Sequence, residues 1–184
     1  MEQELTIYHK RISETQKLIL YFILYAFLGW IMETIYAFYV YGHFVKRGFL
    51  FGPICPIYGF GGVLLYISLK NIKGNNWTKF FVSMVAFSNF EFVASYLLET
   101  AFHQRWWDYS NEFLNIQGRV CLSFSLFWGI VGVLFINVIH PFMKKHVEKI
   151  LLKIPYTLQE IIVYVLLIEV WTDFVLSVLK YIKI

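Results

Sequence analysis

The stretch Leu18–Tyr41, LILYFILYAFLGWIMETIYAFYVY, runs for 24 residues with one acidic side chain, Glu33, and no basic one. A helix of that length is about 36 Å long, and the hydrocarbon core of a bilayer is about 30 Å thick. The stretch therefore predicts a helix that crosses a membrane. Because it is longer than the apolar core of a signal peptide and lacks a small-residue cleavage site, we expect this helix in the mature protein.

Four further apolar stretches have similar lengths. They are Phe49–Leu69, Phe80–Phe102, Cys121–Ile139 and Ile161–Leu179. Of the 184 residues 59% are hydrophobic and 15% are charged, whereas soluble proteins have roughly 45–50% and 25%. This composition excludes a soluble enzyme and a disordered tail. It predicts an all-α, polytopic transmembrane helical bundle of about five spans in one domain, residues 18–184, after an interfacial segment at residues 1–17.

The basic residues predict how the chain is oriented in the lipid bilayer, because short cytoplasmic loops are enriched in Lys and Arg. With five spans, ten Lys and Arg fall on the side of the N-terminus and six on the other side. We therefore expect the N-terminus in the cytoplasm and the C-terminus outside. The net charge of +4 is spread in small groups rather than one basic patch, which argues against nucleic-acid binding.

Five of the 12 acidic residues fall inside the predicted spans: Glu33, Glu91, Glu99, Glu169 and Asp173. A carboxylate at mid-membrane costs on the order of 2.5–3.5 kcal/mol, so such residues normally face protein or water. In the third span the polar residues, Glu91 and Glu99 among them, share one helical face. The acids could join neighbouring helices by hydrogen bonds, or they could form a binding site or proton relay. Five such acids in one chain favour a binding site or a proton relay.

The second span opens with RGFLFGPICPIYGFGG at residues 47–62. Its two prolines lack an N–H and restrict the residues before them, so a straight helix is not expected there. Non-helical backbone in a membrane is tolerated where it lines protein or water. The stretch predicts a broken or re-entrant span at an acidic cavity, and a kinked helix is the alternative.

The loop between the third and fourth spans is rich in aromatic residues and contains Trp107, Asp108 and Tyr109. Such residues typically anchor at the membrane interface. With Arg119 and Arg47 nearby, the loop could also form a lid closed by ion pairs. A site walled by carboxylates and aromatic rings suits a cation or an organic amine. The spacing of the histidines predicts no metal site, and no nucleotide-hydrolysis motif is present.

Several short motifs follow one another in a characteristic order. They are GWIME (29–33), RGFL (47–50), GPICPIYG (52–59), WDYS (107–110), NIQGR (115–119) and FSLFWG (124–129). Between about Leu18 and His140 the chain resembles the bacterial family described as putative ABC-transporter type IV, or CmpB-type permease. The resemblance implies a multi-pass protein of the bacterial cell membrane that would need a separate ATPase subunit for ATP-driven transport.

We therefore expect a small transporter or permease-like protein that binds a small polar solute, such as a cation, in an acidic, aromatic-lined cavity. An intramembrane enzyme acting on a lipid or isoprenoid phosphate is one alternative, and a non-catalytic subunit or regulator that pairs as a homodimer or with other subunits is another. The expected substrate-binding or proton-relay residues are Glu33, Glu91, Glu99, Arg47, Asp108, Arg119, Tyr58, Trp107, Tyr109 and Trp128. The cofactor, the substrate and the roles of Glu169 and Asp173 stay open.

Overall fold

The computed structural model describes residues 12–182, which are largely helical and contain no β-strand. Most of the interfacial segment predicted for residues 1–17 lies outside the described residues. The helices are α1 (Glu14–Tyr41), α2 (Pro56–Leu69), α3 (Asn76–Phe102), α4 (Leu122–Leu134), α5 (His140–Leu151) and α6 (Tyr156–Ile182). A π-helical turn, Phe135–Ile139, makes α4 and α5 continuous. The predicted all-α fold class is confirmed.

In the described part of the chain, four helical stretches are long and apolar enough to cross a membrane. They are α1, α3, α6 and the 30-residue stretch Leu122–Leu151 formed by α4 and α5. The shorter helix α2 has 14 residues, or about 21 Å. Residues 49–55 before it are not helical. The second predicted span is therefore broken, as its prolines indicated.

Local signals set the ends of the first long helix. The Ser13 hydroxyl accepts the backbone N–H of Gln16, and the Gln16 side chain accepts the backbone N–H of Ser13. This reciprocal capping begins α1 four residues before the predicted apolar stretch. Gly42, with φ of 72°, ends the helix in the left-handed conformation that glycine adopts at low cost.

The fourth predicted span continues past Ile139, where the sequence analysis expected it to end. Pro141 lacks an N–H and would crowd the carbonyl four residues earlier in a regular helix. The π-helical turn directly before it widens the helix, and the His140 N–H bonds to the Phe135 carbonyl across this turn. The helix therefore passes the proline and ends at Leu151.

The chain divides into two compact units. The first is Met1–Val63 with Lys144–Ile184, of which residues 12–63 and 144–182 are described, and the second is Leu64–Met143. In the first unit the backbone of α1 at Gly29 lies directly under the Tyr58 ring of α2, with no room for a methyl group. A methyl group at Gly59 would likewise collide with Phe22. Small residues of this kind let transmembrane helices approach closely.

Asp173 of α6 holds the non-helical segment before α2. Its carboxylate accepts the backbone N–H groups of Phe51 and Gly52 at 2.8 and 2.7 Å. The Ser177 hydroxyl donates to the same carboxylate at 3.1 Å. Two backbone donors that the helix would otherwise satisfy are thus paired, which is required of polar backbone inside a membrane protein. The role of Asp173 that the sequence left open is to anchor the broken span.

In the second unit α3 packs against α4. Gly132 leaves space for the Ser83 side chain, where a methyl group would collide with it. The hydroxyls of Ser88 and Ser125 form a hydrogen bond of 2.7 Å between the same two helices. The polar face predicted for the third span is therefore turned toward α4.

If Asp173 anchors the broken span, Asp173→Leu should expose the nearby thiol of Cys55. Cys55 is 4% exposed at the end of the anchored segment, and its N–H bonds to the Ala26 carbonyl at 3.0 Å. We expect several-fold faster labelling of Cys55 by a small maleimide in detergent. Asp173→Asn, which keeps one acceptor oxygen, should give an intermediate rate.

Cys121 provides the control, because it is a free thiol of the second unit and 1% exposed. Its labelling rate should stay unchanged in Asp173→Leu. Equal Cys55 rates in the wild type and the variant would show that the carboxylate does not hold the segment.

Candidate functional site

Glu33 of α1 is bound by two side chains within the first unit. The Arg47 guanidinium donates from Nε and Nη2 to Glu33 Oε2 at 3.1 and 2.8 Å. The Tyr58 hydroxyl donates to Glu33 Oε1. Glu33, Arg47 and Tyr58 form the Glu33 cluster, and three of the expected site residues therefore do meet.

Backbone features around the Glu33 cluster position its two donors. Gly48 has φ of 87°, which favours glycine, and turns the chain directly after Arg47. The Tyr58 ring lies against the α1 backbone at Gly29, one helical turn before Glu33. The hydrogen bond to Glu33 raises the pKa of Arg47, which therefore stays charged. The cluster is therefore an ion pair between Arg47 and Glu33 in which the Tyr58 hydroxyl binds the second carboxylate oxygen.

Glu99 of α3 is bound by two arginines in the second unit. Arg119 Nη2 donates to Glu99 Oε2 at 2.5 Å, and Arg105 Nε donates to Glu99 Oε1 at 2.9 Å. Arg119 Nη1 also donates to the Ser95 hydroxyl at 3.0 Å. The hydrogen bond to Glu99 raises the pKa of Arg105. These four residues form the Glu99 cluster.

Arg119 is the most enclosed member of the Glu99 cluster. The residue is 7% exposed, and its guanidinium carbon lies 5.4 Å from the Tyr96 ring centre and 5.9 Å from that of Phe92. Its Nε has no hydrogen-bond partner within residues 12–182. A buried guanidinium is tolerated when a carboxylate neutralises it and aromatic faces surround it. Arg119 therefore fastens the loop to α3.

The loop at residues 103–121 has an ordered backbone. The Tyr109 N–H bonds to the Gly118 carbonyl at 2.7 Å, and Ile116 pairs with Val120 in an isolated β-bridge. The Trp107 indole donates to the Arg119 carbonyl at 3.0 Å. These bonds fold the loop back on itself between the end of α3 and the start of α4.

Asp108 begins this turn. Its carboxylate accepts the Ser110 hydroxyl at 2.5 Å and the Ser110 N–H at 2.9 Å, and it lies 3.7 Å from Arg105. The hydrogen bonds from Ser110 hold the pKa of Asp108 below its usual range. Of the three charged residues expected to close a lid, Asp108 pairs with Arg105 and Arg119 with Glu99 within the second unit, whereas Arg47 pairs with Glu33 within the first. Whether the loop opens as a lid stays a prediction.

Glu91 of α3 has a different environment. It is 6% exposed, and its carboxylate accepts the Tyr109 hydroxyl at 3.0 Å and the Trp128 indole N–H at 3.3 Å. Phe87 stacks on Trp128 with 4.1 Å between ring centres, and Phe124 stacks on Tyr109 with 4.6 Å. These five residues form the Glu91 site. No Lys or Arg within residues 12–182 pairs with Glu91.

The Tyr109 hydroxyl keeps its proton at this site. Burial, with the adjacent Glu91 carboxylate, raises the pKa of Tyr109 well above its usual range. The hydroxyl therefore acts as a donor to Glu91 and not as a competing anion. Chemically, the site combines one buried carboxylate with aromatic rings whose faces carry partial negative charge.

The ten expected site residues divide between the two units. Three lie in the Glu33 cluster, and the second unit holds the other seven: Glu91, Glu99, Trp107, Asp108, Tyr109, Arg119 and Trp128. Sequence reasoning missed the role of Arg105 as the second donor to Glu99. The sequence signal that could have identified Arg105 is its position, three residues after the end of α3. Within residues 12–182 no group of three or more potential ligands could hold a metal ion.

The Glu33 cluster predicts unequal effects for two neighbouring cations. Arg47→Leu leaves Glu33 with Tyr58 alone, and we expect it to lower the free energy of unfolding by about 1–2 kcal/mol. Lys46 donates to the Leu50 carbonyl at 2.8 Å and lies 5.1 Å from the Phe51 ring centre, without a carboxylate partner within residues 12–182, so Lys46→Leu should cost about 1 kcal/mol or less. Chemical unfolding of both variants in detergent measures the difference. Equal losses would mean that the Arg47–Glu33 pair contributes no special stability.

Comparison with known proteins assigns the chain to a family. The profile of the family described as putative ABC-transporter type IV matches residues 20–178. The match continues into α6, beyond His140, where the sequence analysis expected the resemblance to end. No curated protein and no solved structure matches the chain. With its four apolar helices of spanning length, the chain is a transporter-associated membrane protein that belongs to the putative ABC-transporter type IV family.

Proposed function

We propose that the protein is a small permease-like component of a transport system, and that it binds a small organic cation at the Glu91 site. The observation that carries the proposal is the pairing of Glu91. Glu91 is a buried carboxylate in a helix of spanning length. Two neutral groups, the Tyr109 hydroxyl and the Trp128 indole N–H, donate hydrogen bonds to it. A negative charge in such surroundings is best compensated by a cation, and a bound solute can supply it.

The surrounding rings favour an organic cation over a bare metal ion. Ammonium groups are attracted to the faces of Trp and Tyr, and the attraction grows when water is excluded. A metal ion would instead require several oxygen, nitrogen or sulfur ligands at close range. The Glu91 site offers one carboxylate beside aromatic groups, which suits an amine or a quaternary ammonium.

The Glu33 and Glu99 carboxylates have roles of a different kind in this proposal. Each already accepts hydrogen bonds from arginine, Glu33 from Arg47 and Glu99 from Arg119 and Arg105. A cationic solute would have to displace an arginine to reach them. We therefore propose them as residues that fasten the loops, and we assign the solute to Glu91.

The same pairing weighs against an enzyme acting on a lipid phosphate. Arg47 and Arg119 would be the phosphate ligands, and both guanidinium groups are bound to carboxylates. Transport is therefore the better-supported function. Because the family is described as ABC-transporter type IV, we propose that an ATPase subunit supplies the energy, on the cytoplasmic side where the basic residues predict the N-terminus.

Ligand binding to the purified protein tests the proposal. Choline, ethanolamine and K⁺ would be titrated separately, with calorimetry and tryptophan fluorescence as readouts. We expect saturable binding of choline or ethanolamine, and we expect Glu91→Gln to weaken it at least tenfold because the compensating charge is lost. The fluorescence change should disappear in Trp128→Phe.

Glu112→Gln is the matched control, because Glu112 is an exposed carboxylate in the same loop region. Its affinity for the probe should equal that of the wild type. The proposal would be wrong if neither choline nor ethanolamine bound to the wild type, if K⁺ alone bound, or if Glu91→Gln bound choline or ethanolamine as tightly as the wild type does.

A further inference from the structure

The loop between α3 and α4 presents three apolar side chains at its tip. Phe113, Leu114 and Ile116 are 74%, 63% and 58% exposed, and these three residues are called the loop tip. Neighbouring apolar side chains with this much exposure mark a surface that contacts protein, a ligand or a membrane. The loop tip therefore needs an occupant.

The backbone of the loop tip is ordered in a conformation that costs free energy. Leu114 has φ of 51°, in the left-handed region where a bulky side chain crowds its own backbone. The Asn115 side chain holds this turn. Its Nδ2 donates to the carbonyls of Ser110 and Glu112 at 3.1 and 3.0 Å, and its Oδ1 accepts the Gly118 N–H at 3.0 Å. The loop thus spends free energy on an arrangement that turns apolar groups outward, which points to a binding role for the tip.

The start of α4 fixes the depth of the loop tip in the membrane. The Phe113 carbonyl accepts the N–H of Leu122, the first residue of α4, at 3.4 Å. The 22 residues 122–143 contain no Asp, Glu, Lys or Arg, and Lys144 follows them. In a helix they rise about 33 Å, close to the hydrocarbon thickness of about 30 Å. With Lys144 among the headgroups on one side, Leu122 and Phe113 lie at the opposite boundary of the hydrocarbon.

Helix α3 gives the same depth independently. Between Lys79 and Glu99, the 19 residues 80–98 contain one charged residue, Glu91. They rise about 29 Å, so Glu99 lies at the same boundary when Lys79 is among the headgroups on the other side. Its ion pairs with Arg105 and Arg119 suit the polar edge of the membrane. Both helices that hold the loop therefore place it at the membrane interface.

We propose that the loop tip inserts into the membrane interface, with the side chains of Phe113, Leu114 and Ile116 among the outermost acyl-chain segments of the adjacent leaflet. The tip continues the apolar surface of α4, where Leu122 and Leu126 are 37% and 41% exposed. Moving the three side chains from water into hydrocarbon is favourable, and this gain offsets the strained turn at Leu114.

Depth and charge favour lipid over other occupants. A soluble protein would have to reach below the headgroups, because the bond between Phe113 and Leu122 places the tip at the hydrocarbon boundary. A second copy or another membrane protein can reach that depth, but it would have to displace the lipid that surrounds a spanning helix there. Residues 111–118 contain no Lys or Arg, so insertion depends on apolar contact and not on anionic headgroups. The inference does not depend on the solute proposed for Glu91.

Spin labels on introduced cysteines measure the depth of the loop tip in nanodiscs of neutral phosphatidylcholine. A label at Leu114→Cys should collide preferentially with oxygen, which concentrates in hydrocarbon, over a water-soluble nickel chelate. Glu112→Cys is the matched control, because Glu112 is charged and exposed two residues earlier. We expect the ratio of oxygen to nickel collisions to be several-fold higher at position 114 than at position 112. The unsubstituted chain controls for labelling of the buried native thiols, Cys55 and Cys121.

Phe113→Cys tests the same surface at a second position and should give a ratio close to that of Leu114→Cys. Its N–H and carbonyl are kept, so the bond to Leu122 is not removed. Three results would overturn the proposal. Equal ratios at the tip and at position 112 would place the tip in water. A tip label that neither oxygen nor nickel reaches would mean that protein covers it. A high ratio in anionic nanodiscs alone would mean that charge, and not apolar contact, draws the loop to the membrane.

Discussion

The second unit depends on one ion pair, between the buried Arg119 and the partly exposed Glu99. Arg119 is nearly enclosed, and it ends the turn that follows α3 while Glu99 belongs to α3 itself. The pair therefore ties the loop to the helix from which it departs. The same loop delivers Tyr109 to Glu91 and the Trp107 indole to the Arg119 backbone. Removing Glu99 would leave the buried Arg119 guanidinium of the loop without a carboxylate, which is why the loop conformation and the Glu91 site depend on the pair.

The five acids of the predicted spans differ in how far their charge is compensated by recognisable partners. Two are neutralised by arginine, and Asp173 satisfies backbone donors of the broken span. Glu91 has neutral donors, and Glu169 is exposed. This order supports the structural roles that we propose for the paired acids and the solute-binding role that we propose for Glu91, because a carboxylate is free to bind a new group only to the extent that its charge is not already compensated.

Much of the fold could be predicted from the sequence, because apolar length and proline position are local properties. Helix α1 ends at Tyr41, as predicted. It begins at Glu14, four residues before the predicted Leu18, because Ser13 caps the polar residues that precede the apolar stretch. The polar face of α3 followed from periodicity alone. The partners of its acids could not be predicted, since they depend on loop residues such as Leu114 and Gln117 at positive φ. The hydrogen bonds of Asp173 could not be predicted either. Its partners are backbone N–H groups, which almost every residue has, so the sequence does not indicate which of them it binds.

A double-mutant cycle between Glu99 and Arg119 tests the central claim most directly. The free energy of unfolding would be measured in detergent for Glu99→Gln, Arg119→Gln and the double variant. We expect Glu99→Gln to destabilise the protein more than Arg119→Gln, because Glu99→Gln leaves the buried Arg119 guanidinium without a carboxylate, whereas Glu99 keeps Arg105 in Arg119→Gln. The double variant should then cost about 1–3 kcal/mol less than the two single losses combined. Losses that add within about 0.5 kcal/mol would contradict the account, because they would show that the two residues stabilise the protein independently.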